Sequence, residues 1–412
     1  MKRTPLIVLF ITVAIDLLGF GIIFPLLPLY VKQFNGTPTI AGWLAASFSV
    51  MQFLFCPIWG RASDRWGRRP FILMGLLGSG LAFLMFGLAR NLEMLFVARI
   101  LAGVLTAASL PASYAYIADS TTPETRSRGM AMIGVAFGVG FSLGPWIGGV
   151  LGAHDLRLPA FVVAGLALAN FTWSYFVLPE THTKPDGHPI SSGLVDLKAM
   201  PRALARPILG ELLVLFTVSN FAFALMESTF TWLILLRFIE PQHLARALME
   251  TRAAGTVAPI FGVVGVTVVL AQGAVMGGLA KRTSDRSLVW AGTLLLAAAL
   301  FGIAGTGSLR VLTALAACLA LGNGLLTPAL SSLLSRAAGR QERGQVMGVQ
   351  QGLGSLARIA AQLSGPAMLD HFGTGTPFYF ACAAMVVAFL LSLRLGVRMP
   401  GETAAASLSA PS

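Results

Sequence analysis

Between residues 40 and 59, and again between 71 and 88, the chain carries no Asp, Glu, Lys or Arg, and runs of this kind recur along its whole length. A bilayer core takes about 20 apolar residues of helix to cross. The 412 residues divide into twelve such runs, at 5–31, 40–60, 70–88, 92–117, 127–151, 158–178, 208–236, 254–278, 288–306, 311–335, 344–368 and 375–395. A soluble domain carries roughly 25% charged residues; here 11% are charged and 56% hydrophobic, more apolar surface than one aqueous core can bury. A membrane β-barrel would instead show alternating segments of about ten residues. The expected fold is therefore all-α and polytopic, with twelve transmembrane helices.

The polar residues between the runs set the orientation. With the amino terminus inside, 20 of the 29 Lys and Arg fall on the inner side and 7 on the outer, leaving Arg99 and Arg358 within spans. This bias predicts both termini in the cytoplasm of a cell with its inner membrane as the host. It also accounts for the net charge of +12 without a nucleic-acid partner. Met1-Lys2-Arg3 opens like a signal peptide, but the run that follows is too long, holds Asp16 and lacks a small-residue cleavage site, so it reads as a retained first span. Cys56, Cys318 and Cys382 fall inside spans with neither disulfide nor metal-ligand spacing. The five His lie in or beside loops, and no metal site or nucleophile constellation is expected.

Residues 179–206, rich in Pro, Gly and Ser, form the longest polar break and read as a cytoplasmic linker between a first bundle, 1–178, and a second, 207–398, with a disordered tail at 399–412. The halves echo one another. Gly60 to Arg69 aligns with Gly277 to Arg286, keeping Gly277, Arg282 and Arg286 but replacing Asp64 by Lys281 and Gly67 by Ser284; Arg128-Gly129 is matched by Arg343-Gly344. Two pseudo-symmetric six-helix bundles imply a transporter with its site at the interface of the halves.

The densest polar stretch is Gly60-Arg61-Ala62-Ser63-Asp64-Arg65-Trp66-Gly67-Arg68-Arg69-Pro70, which reads as a tight cytoplasmic turn. Gly60 and Gly67 permit close approach and a sharp turn, while Asp64 and Arg68 can pair with neighbouring helices. This stretch resembles the signature Gly-x-x-x-Asp-Arg-x-Gly-Arg-Arg/Lys of the major facilitator superfamily. The resemblance implies that Asp64 caps the helix opening at Arg343-Gly344 and that Arg68 meets Asp119, with Arg65 beside them, forming a latch of the outward-facing state. Span 5 carries Gly134, Gly138, Gly144-Pro145 and Gly148-Gly149. Glycines one turn apart let another helix pack against the backbone, and the pattern resembles the motif of the family's drug:proton antiporters. The first span, Asp16-Leu17-Leu18-Gly19 through Pro25-Leu26-Leu27-Pro28, is similar to that of twelve-span drug and tetracycline efflux proteins. Arg99-Ile100-Leu101-Ala102-Gly103 resembles the family's Arg-x-x-x-Gly motif, with Ala102 where Gln often stands.

Charge inside a span is costly and needs a reason. Asp16 and Glu227 are the candidates for carrying protons or binding cationic drugs, the alternative being fixed ion pairs with Arg99 or Arg358 that hold helices together. Arg99 stays protonated and can organise the proton site without carrying the proton. Gln351, Ser355, Arg358 and Gln362 share one helical stripe, expected to face a watery cavity or to bond between helices. Asn220 lies on the Glu227 face, and Phe137, Phe141 and Phe223 are candidate rings for a flat lipophilic cation.

The expected function is export of small lipophilic compounds in exchange for protons by alternating access. It needs no cofactor beyond the proton gradient, and its partners are substrate, protons and lipid bilayer around a functional monomer. Spans 3 and 9 hold no acid, whereas tetracycline exporters carry acids in both, which favours another drug range. An importer or facilitator of a sugar or other metabolite is the rival within transport; a non-transporting receptor or sensor on the same fold is the rival outside it. A membrane-embedded enzyme finds no triad to support it.

Overall fold

With no water in a bilayer core, each backbone N–H and C=O must be satisfied within its own segment, so an uncharged run crosses as helix. The computed structural model describes residues 3–120, 136, 140, 143–180, 199–242, 246–271, 283–338 and 342–398, and among these no residue is in a strand. The helices are α1 (Arg3–Ile23), α2 (Leu27–Gln33), α3 (Pro38–Trp66), α4 (Arg69–Gly87), α5 (Leu92–Thr106) and α6 (Ser109–Ser120). The short α7 (Leu143–Gly152) follows. Then come α8 (Leu158–Val177), α9 (Ala199–Leu204), α10 (Pro207–Ile234), α11 (Arg246–Leu270), α12 (Asp285–Gly305), α13 (Leu309–Ala337), α14 (Arg343–Phe372) and α15 (Thr376–Arg398).

Among the described residues ten helical stretches are long and apolar enough to cross a membrane. The fifth run is described in part, as α7, and the eleventh is α14, whose 30 residues include the polar stripe. Three helix starts are capped by polar side chains. Thr37 Oγ1 accepts from Ile40 N at 3.4 Å, Asn91 Oδ1 from Met94 N at 2.9 Å and Ser284 Oγ from Ser287 N at 3.3 Å.

Two runs expected to be continuous are broken. The first turns through a 3₁₀ segment at Phe24–Leu26 before α2, at Pro25 and Pro28. The fourth breaks at Ala107-Ala108, where Pro111 lacks an N–H for the carbonyl four residues earlier. A third difference concerns the Gly60–Pro70 stretch. Helix α3 continues to Trp66, so Arg61, Asp64 and Arg65 ride its last turns, and only Gly67 and Arg68 make the turn into α4. The helix simply outlasts its apolar portion, its polar turns being satisfied by their own backbone bonds.

The chain packs into two compact units that do not follow chain order. The first comprises residues 1–195, 227–265 and 362–374, and the second 196–226, 266–361 and 375–412. Inside the first, an apolar core joins α1, α4, α6 and the end of α8 through Val13, Leu17, Ile72, Leu76, Ala112 and Val177, with Leu178 just past that helix. Inside the second, Trp290 Nε1 on α12 donates to Ser392 O on α15 at 3.2 Å, and Gln350 Nε2 on α14 to Ser331 Oγ on α13 at 3.2 Å. At the polar margin of the second unit Arg206 clasps Glu342 through both terminal guanidinium nitrogens, which holds the Glu342 carboxyl below its ordinary range.

Candidate functional site

The helix break at Ala107-Ala108 exposes the start of α6 to α1, and Ser109 Oγ there donates to Asp16 Oδ2. The other carboxylate oxygen, Asp16 Oδ1, is buried and accepts from no protein group. One turn along α1, Thr12 accepts from Asn170 Nδ2 of α8 at 3.1 Å and donates to Val8 O at 2.9 Å. Asp16 therefore sits at the head of a polar strip between three helices, with no basic side chain on it among the described residues.

Arg99, 4% exposed on α5, is stationed between rings. Its guanidinium lies 5.7 Å from the Phe48 centroid and 5.3 Å from the Phe86 centroid, while its Nε and Nη2 meet no hydrogen-bond acceptor. Phe20 stacks on Phe24 at 5.1 Å and tilts on Phe48 at 6.0 Å, and Tyr30 meets Phe86 edge-on at 4.7 Å. Desolvated cation-π contacts supply about 2 kcal/mol each, partial recompense for burying the charge. Gly103, one turn on, lets α3 come close: a Cβ there would stand 2.6 Å from Phe48 O. Among the described residues neither Asp16 nor Arg99 forms an ion pair, so the fixed Asp16–Arg99 pair is not the arrangement found.

Glu227 is half-buried on α10, in the part belonging to the first unit. In the second unit Asn220 Nδ2 donates to Phe216 O of its own helix at 3.1 Å, and Phe223 is half-buried. Asn220 faces Gly354 of α14, where a Cβ would stand 3.2 Å from the Phe216 ring and 4.0 Å from Asn220 Oδ1. On that helix Gln351 is exposed, Ser355 donates to Gln351 O at 3.0 Å, Arg358 is half-buried and Gln362 is 1% exposed. The polar stripe thus runs from open to closed surroundings.

At the α3–α4 turn Arg68 is the hub. It is 3% exposed, its Nη1 donates to Ser63 Oγ at 3.0 Å and to the Asp64 carboxylate, and its Nε donates to Asp119 Oδ2 at 3.2 Å. Asp64 and Asp119 are thereby gathered on one guanidinium, while Arg65 is exposed. Glu180, which sequence reasoning leaves in the linker, closes the site from behind. Its two oxygens accept from Arg68 N at 3.0 Å and Arg69 N at 3.2 Å, a carboxylate seated on the start of α4. Gly67 admits it: its φ is +98°, and a Cβ there would stand 2.4 Å from Glu180 Oε2. At Gly60, inside α3, a Cβ would meet nothing within 4 Å, so the close approach and the sharp turn rest on Gly67 alone.

Of the span 5 motif, Gly134 and Gly138 lie outside the described residues, as do Phe137 and Phe141. Gly144 and Gly148 set α7 against the α1 backbone, their Cβ positions falling 2.9 Å from Gly21 Cα and 2.5 Å from Ile22 O, and Pro145 Cδ packs on Gly21. Gly149 faces the other way, toward Ala258 of α11 at 2.5 Å. Sequence reasoning missed that partner, although Ala254-x-x-x-Ala258 is a small-residue spacing that could have signalled it. It also missed Lys32–Glu240 at 2.6 Å and Thr39 Oγ1 to Asp370 Oδ2 at 2.8 Å, pairs too far apart in sequence to leave a local signal. No group of three or more His, Cys, Asp or Glu placed to hold a metal occurs among the described residues.

Comparison with known proteins adds the wider context. A family model described as Major Facilitator Superfamily matches residues 9–276 and 260–410. Multidrug resistance protein 2 of Bacillus subtilis (strain 168) is 30% identical over 95% of this chain and 95% of that protein. The class E tetracycline resistance protein of Escherichia coli is 31% identical over 95% of each. The solved human organic anion transporter MFSD10 (TETRAN) superposes with a TM-score of 0.67 at 25% identity, covering 95% of this chain and 99% of that one. A bacterial homologue of the lysosomal transporter Spinster shares the fold at a TM-score of 0.72, over 96% of each chain.

Proposed function

This chain belongs to the major facilitator superfamily and is a multi-pass membrane transporter, not an enzyme, and from that premise we propose that it exports small lipophilic compounds in exchange for protons. The observation that carries the reading is Asp16: an acid inside the first bundle, bonded to Ser109 by one oxygen, with the other buried and unpaired and no basic partner. A carboxylate so placed is costly as a permanent charge, and taking up and releasing a proton relieves that cost once per cycle. The relatives named for multidrug and tetracycline resistance support the direction and the class of cargo.

In this reading Glu227 is the second proton-linked acid, and Asn220, Phe223, Gln351 and Arg358 meet substrate together with Phe137 and Phe141. Arg68 holds Asp64 and Asp119 as the latch, from which Asp64 is released to cap the helix at Arg343-Gly344 when the transporter faces outward. The protein works as a monomer in the inner membrane with both termini in the cytoplasm. Arg99 favours a second reading of the cargo: a buried guanidinium between rings, with no acid among the described residues to neutralise it, suits an aromatic anion.

Everted membrane vesicles under an imposed pH gradient test both. Ethidium, tetracycline and an anionic dye are offered to wild type, Asp16→Asn and Glu227→Gln. Gradient-driven transport in wild type, falling about tenfold or more in Asp16→Asn, is expected. Transport that ignores the gradient sinks the coupling, full transport in both variants sinks the proton sites, and preference for the anionic dye selects the second cargo.

A further inference from the structure

Three helices of the first bundle each carry a pair of polar residues one helical turn apart, and so on one helix face: Thr12 and Asp16 on α1, Ser109 and Ser113 on α6, Asn170 and Ser174 on α8. The bonds Ser109 to Asp16 and Asn170 to Thr12 fix their register, α6 and α8 running opposite to α1. Asp16 and Ser109 form one level and Thr12, Ser113 and Asn170 the next. Ser174 and Tyr116 lie beyond, and the Tyr116 hydroxyl donates to Pro179 O at 3.0 Å. Pro179 is exposed, beside the Glu180 and Arg69 that close the α3–α4 turn.

Four atoms along this line, Asp16 Oδ1, Ser113 Oγ, Asn170 Oδ1 and Ser174 Oγ, are buried and have no protein partner. Ser113 and Ser174 are 0% exposed and Asn170 4%. Buried polar atoms bond to protein or to ordered water, and with no protein partner these four are left to water. Successive levels four residues apart are separated by about 6 Å, which two hydrogen bonds of about 2.8 Å through one water span. Val13, Leu17, Ile72, Leu76, Ala112 and Leu178 belong to the apolar core of the same helices.

We propose that this strip is a water-filled proton conduit, joining Asp16 to the cytoplasmic face beside Pro179 through the interior of the first bundle. Asp16 gives its proton to the first water, the waters and the Ser113 and Ser174 hydroxyls each accept one on one side and release one on the other while Asn170 Oδ1 only accepts from and orients a water, and bulk water takes the last; only O–H bonds form and break. When the pH on that face is lowered the same steps run in reverse, which is the direction a pH jump reads. Tyr116 stands at the mouth. The other titratable and charged groups on the helices packed against α1 are Tyr114 and Asp119 on α6, Arg68 and Arg69 at the start of α4, Tyr175 on α8 and Glu180 after it. None of them bonds to Asp16, so among the described residues the file is a polar route to it from that face.

The inference rests on the reading that Asp16 exchanges a proton, and the test separates the two. The purified protein in lipid nanodiscs is subjected to a pH jump, and the infrared carboxyl band that Asp16→Asn abolishes is followed in time. Ser174→Val and Ser174→Thr have the same shape and differ by one hydroxyl. The expected result is a band appearing about tenfold more slowly in Ser174→Val, with Ser174→Thr close to wild type, and Asn170→Leu slow as well. Equal rates in the Val and Thr variants, fast or slow, overturn the conduit, since a structural role would not distinguish them. No carboxyl band that responds to pH and disappears in Asp16→Asn overturns it too. A Val–Thr difference alongside wild-type ethidium transport that ignores the gradient leaves the conduit standing and removes the coupled-export reading.

Discussion

Gly67 meets two requirements at once, a φ of +98° and a Glu180 oxygen 2.4 Å from where its Cβ would be. Gly67→Ala must strain the turn and push Glu180 off the start of α4, so it is expected to cost about 1–3 kcal/mol. Thermal unfolding in detergent measures it. Glu180→Gln keeps the shape and loses only the charge at the helix start, so its loss should fall well below that of Gly67→Ala; the reverse order would show that the carboxylate, not the turn, holds the site. Asp16, Arg68 and Arg99 are legible in the sequence because a charge within or beside an apolar run is rare and demands a partner. Glu180 is not, since its role depends on a pairing with Arg68 and Arg69 across more than a hundred residues. Ser113, Asn170 and Ser174 are silent for a different reason: Ser and Asn serve packing in many spans, and only their placement on two helices that meet α1 brings them into line with Asp16.

Helix α7 touches α1 backbone to backbone, and this contact should respond to a single methyl group. A Cβ at Gly148 would stand 2.5 Å from Ile22 O, whereas at Gly165 on α8 it would meet nothing within 4 Å. Gly148→Ala is expected to lower the melting temperature and to reduce transport in vesicles. Gly165→Ala is expected to leave transport unchanged and to add up to about 1 kcal/mol through helix propensity. Equal melting temperatures for the two variants would show that α7 yields freely and that the close approach has no energetic weight. At this scale the uncharged runs announce the helices, because length and the absence of charge are what a bilayer requires. Their ends are less legible. Helix α3 carries Asp64 and Arg65 past the membrane as helix, and Ala107-Ala108 breaks a run whose apolar pattern continues unaltered, since Pro111 acts through a missing N–H.

Helices α10, α11 and α14 each contribute to both compact units, their segments within 227–265 and 362–374 packing with the first six spans. In the first unit this packing is sealed beside the 34–37 turn by Lys32–Glu240 at 2.6 Å and by Thr39 to Asp370 at 2.8 Å. Gly42 backs the seal, its Cβ position falling 2.4 Å from Gln362 O. Both Lys32 and Glu240 side chains are 34% exposed, so the ion pair gives modest energy that salt screens. The seal is therefore of a kind that opens. A transporter that exposes its site to each side in turn must at some stage part these segments from the first six spans. Holding them together should stop the cycle. In a background with Cys56, Cys318 and Cys382 replaced by Ser, Thr39→Cys with Asp370→Cys is treated with a short bifunctional thiosulfonate, and substrate flux into everted vesicles is followed. Flux should fall to the background of empty vesicles on cross-linking and return on reduction, while Glu240→Gln, which only weakens the seal, keeps most of its flux. Undiminished flux through fully cross-linked protein would mean that the seal beside the 34–37 turn is a fixed joint, and that the moving parts lie elsewhere in the chain.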